Sequence, residues 1–335
     1  MGTMSDVAKA AQVSVSTVSH VLNSTRPVNA ETRDRVLKAL QETNYRRNAL
    51  ATALATSRTM SIGVCISALS NTYFANLVHS IENQASARGY TIVMGDSHDD
   101  ASEEARLFES FLDRQVDGLI VAPAPGAESL SLPILIRHGT PLVLIDRLVN
   151  GVDCDQIAPE NVEPAKLLAR HLIEIGHRQI AVMSGIPGLQ STDERLEGCR
   201  RAIQEAGLTL EPALIGHGNS RIEDAYTETM RIFDTTGNRP TGVVVLNNAM
   251  TIGTLRALKD LGLRVPADVA LVCYDDFEWA DLFEPSLTAI EQNVRSMGAQ
   301  AVDLLLDRIE GSESPRQHLR IPTVYHHRHS CGCTN

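Results

Sequence analysis

The sequence predicts a small N-terminal helix-turn-helix domain of three helices followed by an α/β core of two doubly wound parallel-sheet subdomains. Three observations carry this expectation. A chain of 335 residues is too long for one ordinary domain and suggests several units, each able to bury a core. The charge is divided: residues 1–59 hold eight Lys and Arg against four acids, while the rest holds 22 against 37, so the overall −11 is a basic head on an acidic body. Finally, three short amphipathic helical patterns come first, and apolar strand candidates alternate with helical patterns after them.

The head reads in order. "MSDVAKAAQ" places Val7, Ala8 and Ala11 on one face behind a candidate cap, Ser5. "SVSTVSHVLN" follows with Ser14 placed to cap it and Val18, Val21 and Leu22 turned inward. About three residues separate the two, the spacing of a helix-turn-helix. A third helix starts at Asn29, buries Val36, Leu37 and Leu40 and stops near Asn44, which closes a three-helix core.

The second helix turns Val15, Ser16, Ser19, His20 and Asn23 away from its buried stripe. Short hydroxyls and a helix N-terminus donate to phosphates without holding the backbone off a duplex, and a histidine reaches base edges in the major groove. On an isolated helix the same row reads sooner as a solvated face; the stretches around it, through the resemblance they carry, decide for nucleic acid. "NALATALATSRT" then links head to body, a short helix capped by Asn48 or an Ala-rich tether, too short to be stable alone.

In the body the strand candidates are "SIGVCIS", "YTIVMGD", "VDGLIVAP" and "PLVLIDR", then "QIAVMSG", "ALIGHG", "TGVVVLNN" and "VALVCYDD". Helical patterns lie between them, several ending in Gly as helix stops do. In open parallel sheets ligands bind beyond the C-terminal strand ends, which singles out Asp146 and Arg147, Asn247 and Asn248, and Asp275 and Asp276. Tyr73 and Phe74 follow the first strand, and Arg195 opens a helix after the fifth. Carboxylate, amide and guanidinium groups against an aromatic wall suit vicinal hydroxyls. Any one of them alone reads as well as a helix cap or a loop ion pair.

The stretches "DVAKAAQVSVSTVSHVLN", "VNAETRDRVLKALQETNYRRNALATALA" and "SIGVCIS" resemble the LacI/GalR family of bacterial transcription regulators, and the resemblance runs through the whole chain. It implies a helix-turn-helix over 1–46, a hinge over 47–59, and a periplasmic-binding-protein-like core. The core's N-terminal subdomain would be 60–160 plus 291–320, its C-terminal subdomain 161–290 plus 321–331, and 332–335 a tail. By the same resemblance Val15, Ser16 and His20 read bases, Arg26 lies near the DNA, and Ser14, Thr17 and Asn23 face phosphates. Ala51 and Leu54 sit at the paired hinge helices, Leu54 as the minor-groove wedge. Phe74, Arg195, Asn247 and Asp275 take effector-contact positions with Tyr73, Asp146 and Arg147 near them. Departures are Gln12 where the turn usually has Gly, Asn248 where Asp is usual, and Ser220 where some members offer an aromatic, with Trp279 either compensating or simply packing. The implied function is a homodimeric repressor whose affinity for a pseudo-palindromic operator duplex is set by a small effector: a sugar or polyol first, then a sugar acid, with nucleosides and other small molecules after these.

Competing functions fare worse. A periplasmic solute receptor shares the two-lobed body but needs a secretion signal and no basic head. A nucleotide enzyme finds only two glycines in "GHGNSR" and no Walker lysine, so no cofactor is expected. The six cysteines are scattered, which fits reduced thiols, and the tail "HHRHSCGC" matches no standard zinc spacing, so no metal is expected. No apolar run approaches the roughly 18 residues of a membrane span and no apolar leader opens the chain, so a cytoplasmic protein is expected.

Overall fold

The computed structural model describes residues 2–23, 26–45, 58–234 and 239–333. The chain divides into two units, Met1–Thr59 and Met60–Asn335. The linker candidates Ala51 and Leu54 and the side chain of Asn23 lie outside what is described.

In the first unit α1 (Met4–Ala11), α2 (Val15–Asn23) and α3 (Ala30–Glu42) enclose Val7, Ala8, Ala11, Val18, Val36 and Ala39, with Val21, Leu22 and Leu40 packed at the margin. Two expectations need correction. The α1 cap is Thr3 rather than Ser5: the Thr3 hydroxyl accepts from the Asp6 N–H while the Asp6 carboxylate accepts from the Thr3 N–H at 2.8 Å, a reciprocal capping box that Ser5 cannot form. Leu37 is 45% exposed, because a step of about 100° from Val36 carries it off the Val36–Ala39–Leu40 stripe. Gln12 is left-handed (φ 54°), so the turn uses a side chain where glycine would be easier, and its N–H closes α1 on Ala8 and Lys9 carbonyls.

The second unit holds two six-stranded sheets. The first, in the order β11-β5-β4-β3-β1-β2, is wholly parallel and contains β1 (Ser61–Ile66), β2 (Thr91–Asp96), β3 (Gly118–Val121), β4 (Leu142–Ile145), β5 (Asp155–Pro159) and β11 (His318–Ile321). The second, in the order β12-β10-β9-β8-β6-β7, contains β6 (Ile180–Ser184), β7 (Ile215–His217), β8 (Gly242–Val245), β9 (Ala270–Tyr274), β10 (Thr288–Glu291) and β12 (Val324–His326), with β12 antiparallel at the edge. Their central strands are fully buried apolar runs, as strands covered on both faces must be.

Each lobe wraps its sheet in helices: α4 (Thr72–Ala87), α5 (Ala101–Asp113), α6 (Leu132–His138) and α11 (Val294–Ile309) on the first, α7 (Val162–Glu174), α8 (Gln190–Glu205), α9 (Ile222–Phe233) and α10 (Asn248–Asp260) on the second. Helix pairs in the second lobe close over glycine. A Cβ on Gly198 of α8 would stand 2.3 Å from the Val162 carbonyl of α7, and one on Gly253 of α10 would stand 2.2 Å from the Ile222 carbonyl of α9.

The chain passes between lobes three times, after β5, after β10 and after β11. Glu291 closes β10 in the second sheet and Ile321 closes β11 in the first, so each of these passages falls one residue later than the expected boundary. Strand β5 was not among the expected strands. It opens on Asp155 and Gln156, both buried, and its polar partners come from elsewhere: Arg308 for Asp155, and the Val149 N–H and carbonyl for the Gln156 amide. Nothing in its own pattern shows an apolar strand.

Candidate functional site

Two groups of the expected residues are each brought to one face. On the head, Ser14, Val15 and Ser16 are exposed at the start of α2, with Thr17 and His20 half-buried one turn on and Arg26 exposed beyond the helix. Ser14 caps α2, its hydroxyl accepting from the Thr17 N–H at 3.1 Å, and it lies 2.8 Å from both the Ser16 and Thr17 hydroxyls. Three hydroxyls thus cluster on a helix N-terminus, where orphan N–H groups and the positive end of the dipole already favour an anion. Replacing Ser14 with Ala removes the cap and should weaken α2 by about 1 kcal/mol. Ser14→Asp should keep the cap, and hence the helix, while repelling phosphate. Amide exchange at Thr17 and Val18, read beside duplex affinity, separates these effects; parallel losses in both variants would mean that Ser14 matters only as a cap.

In the body the polar strand ends converge between the lobes. Asp146, which follows β4, and Asp275, which follows β9, occupy corresponding places in the two sheets, and both have φ 71°. Left-handed backbone at a non-glycine residue costs of order 1–3 kcal/mol and persists where the surroundings over-determine it, often at ligand clamps. Here Asp146 accepts the Tyr73 hydroxyl at 2.6 Å and lies 3.5 Å from Arg147 Nε. Asp275 accepts from the Gln292 side chain and from the Asn248 N–H at 3.3 Å, with Arg195 Nη1 3.9 Å away.

Both arginines are buried and committed. Arg147 donates to Asp99 at 2.5 Å and to the Pro123 carbonyl at 2.9 Å, and lies 6.0 Å from the centre of the Phe74 ring. Arg195 donates to Asn161 and to the Leu246 carbonyl, both at 2.9 Å, and stacks 3.8 Å over the Tyr274 ring. Burial opposes the Arg195 charge, yet the carboxylates Asp275 and Asp146 and the nearby phenols hold its pKa above the ordinary value. Burial likewise pushes the Asp275 carboxyl up, with Arg195 and Gln292 pulling the other way. The Tyr73 phenol is driven well up by burial and by Asp146.

These groups line a cavity of about 70 Å³ that includes Ser220. Past Tyr73, Asp275 and Gln292 lies a wider cleft of about 430 Å³ with Phe277 and Trp279 on its wall. Trp279 therefore belongs to the outer cleft. Asn247 serves as a helix cap, its carbonyl oxygen accepting from the Met250 N–H at 2.9 Å. Asp276 is taken up by Arg328, at 2.7 and 2.6 Å.

Sequence reasoning missed Asn71, Asp99, Asn161 and Gln292. Asn71 and Asn248 exchange side-chain amide hydrogen bonds across the lobes, at 3.0 and 2.7 Å. Gln292 carried the same signal as the residues found, a polar side chain just after an apolar strand. Asn71 and Asp99 also follow apolar strands, β1 and β2, within a few residues, whereas Asn161 follows β5, which shows no apolar pattern. Two cavity atoms, Arg147 Nε and Gln292 Oε1, are buried without a hydrogen-bond partner among the described residues. One is a donor and the other an acceptor, the pair of roles a ligand hydroxyl can meet.

A family model for bacterial regulatory proteins of the lacI family matches residues 3–48, and one for a periplasmic binding protein-like domain matches residues 169–331. The HTH-type transcriptional repressor PurR of Haemophilus influenzae (strain PittEE) is 35% identical over 323 residues, 96% of this chain and 95% of that protein. The protein of the same name from Aliivibrio salmonicida is 33% identical over 317 residues, 95% of each. Among solved structures, the lac repressor dimer bound to operator and the anti-inducer ONPF is similar at a TM-score of 0.88 and 28% identity, covering 98% of this chain and 99% of that one. A transcriptional regulator CelR–cellobiose complex is similar at a TM-score of 0.75 and 28% identity, covering 98% of this chain and all of that one.

Proposed function

The chain belongs to the lacI family of bacterial regulatory proteins, as a DNA-binding transcriptional repressor with an effector-binding domain rather than an enzyme, and on that premise we propose how it is controlled. It binds a pseudo-palindromic operator as a homodimer, and a neutral sugar or polyol held between the lobes sets its affinity for that DNA. The observation that carries the choice of effector is the state of the two cleft arginines. Both are already matched by carboxylates, Arg147 by Asp99 and Asp146, Arg195 by Asp275. A ligand carboxylate would have to displace one of these buried pairs, whereas a hydroxyl donates to Gln292 Oε1 and accepts from Arg147 Nε, which lies 3.5 Å from Asp146 but makes no hydrogen bond to it. The sugar named with the CelR structure points the same way.

Control follows from the three passages between lobes. The Asn71–Asn248 amide pair and the Tyr274 hydroxyl, which donates to the Glu160 carbonyl at 2.6 Å, hold the lobes in one arrangement. A ligand that binds one lobe arrangement better than another shifts the population, and the operator selects the same way, so the two affinities are coupled reciprocally. On the head, Val15, Ser16 and His20 read bases while Ser14 and Thr17 hold phosphates.

Selection from random duplexes should return inverted half-sites, since a two-fold dimer needs two-fold DNA, and affinity should fall steeply with salt. His20→Ala should relax preference within each half-site while leaving weak non-specific binding intact. Enrichment of single-stranded or asymmetric sites would overturn the reading.

A further inference from the structure

Two groups of metal-ligating side chains come together among the described residues: Asp276, Glu291 and His326 on the wall of the outer cleft, and a second group away from it. His171 of α7 meets His327, Cys331 and Cys333 of the segment that follows β12. His327 Nε2 lies 3.0 Å from Cys333 Sγ and 3.4 Å from Cys331 Sγ, the two sulfurs are 3.2 Å apart, and His171 Nε2 lies 3.6 Å from Cys333 Sγ. All four ligand atoms lie within 4.8 Å of one another. A tetrahedral zinc ion with bonds of about 2.0–2.3 Å needs ligand-to-ligand edges of about 3.3–3.8 Å, so these separations already approach a coordination shell. We propose that His171, His327, Cys331 and Cys333 form a Cys2His2 site for a thiophilic divalent cation, zinc in the first place.

Two imidazoles and two thiols are poor partners for one another, since S–H is a weak donor and a weak acceptor. The other four cysteines show the contrast: Cys65, Cys154, Cys199 and Cys273 are buried singly, and burial pushes each thiol up, Cys154, Cys199 and Cys273 to about 12. Those four act as small apolar residues. The tail pair, in contrast, is held in place by its neighbours. Ser330, fully buried, donates to the Leu271 carbonyl at 2.6 Å and accepts from the Thr288 N–H at 2.9 Å, which pins the turn on β9 and β10. Gly332, between the two cysteines, has φ +82°, a conformation that favours glycine and folds both thiols toward one centre. The Tyr325 ring stacks on His327 and meets His171 edge-on, with ring centres 6.1 and 6.0 Å away, so both imidazoles are oriented.

"HHRHSCGC" alone matches no standard zinc spacing, and the structure brings only three of its five candidate ligands, His327, Cys331 and Cys333, to this centre. The fourth ligand is His171, 162 residues before Cys333, which only the fold supplies. A cation there would fasten the end of the chain to α7, whose first turn follows the passage from β5. Its binding free energy would add to the stability of the second lobe, because no such site exists in the unfolded chain.

The test uses the full chain, reduced and freed of metal, and titrated with Co2+ and with Zn2+ against a chromophoric chelator. The expected result is one equivalent per chain, a cobalt spectrum with tetrahedral d–d bands and thiolate charge-transfer absorption, and a rise in Tm with zinc. Cys331→Ser/Cys333→Ser and His171→Ala should each lower zinc affinity at least tenfold, whereas His138→Ala, on an exposed histidine of the other lobe, should leave it unchanged. The wild-type cobalt spectrum stands independently of whether any variant folds. A spectrum without thiolate charge transfer, a stoichiometry that survives the double cysteine variant, or a Cys331–Cys333 disulfide that forms in preference under mild reductant would each overturn the site.

Discussion

Asp155→Asn should lower the stability of the full chain by about 3 kcal/mol, seen as a lower denaturation midpoint with an unchanged slope. Asp155 is fully buried at the head of β5, where Arg308 of α11 grips it through Nε at 2.6 Å and Nη2 at 3.0 Å while the Gln317 N–H donates at 2.8 Å. One carboxylate therefore ties β5, α11 and the approach to β11, the segment that returns from the second lobe. The amide keeps one acceptor oxygen and sets an NH2 donor against the guanidinium at the other, so Arg308 loses its charge partner and one of its two side-chain bonds and otherwise holds only the carbonyls of Ser312, Ser314 and Pro315. Burial by itself would raise the Asp155 carboxyl, but the Arg308 pairing and the Gln317 N–H outweigh it and hold it below the ordinary carboxylate range. With the folded pKa depressed, this stabilisation is present above the unfolded value of 3.8 and is lost as pH falls through the folded one. Wild type and variant should therefore converge on acidification; a constant gap across that range would show that the ion pair is not the source.

Asp275→Asn should weaken effector binding by about 1–3 kcal/mol while leaving operator affinity without ligand near that of the wild type. The change keeps the shape but turns half of an acceptor-only group into a donor. Because burial raises the Asp275 carboxyl, wild-type affinity for a hydroxyl ligand should begin to fall at a higher pH than an ordinary carboxylate would dictate, and the variant should not share that dependence. A thermal-shift screen over sugars, polyols, sugar acids and nucleosides identifies the ligand, and calorimetry on both proteins reads the difference. Unchanged affinity would remove Asp275 from the site. A carboxylate ligand binding best would overturn the neutral effector while leaving the repressor reading intact.

What the sequence by itself determined was local: the three-helix head, the Ser14 cap, the alternation of apolar strands with helices, and the polar residues at strand ends. Each depends on near neighbours, through a period of 3.6 or 2 or through a capping side chain a few positions from its amide. The tertiary structure decided which of those residues meet. Asn71 and Asn248 stand 177 positions apart, and no local pattern pairs them. Strand β5 hid for the same reason, since the groups that satisfy Asp155 and Gln156 lie on other segments. Leu37 looked like core because an apolar residue beside the stripe is indistinguishable from one within it until the helix is docked. His171 shows the limit most plainly: ligand spacing is written along the chain only when every ligand is close in sequence, and here the fourth is delivered by the packing of α7 against the tail.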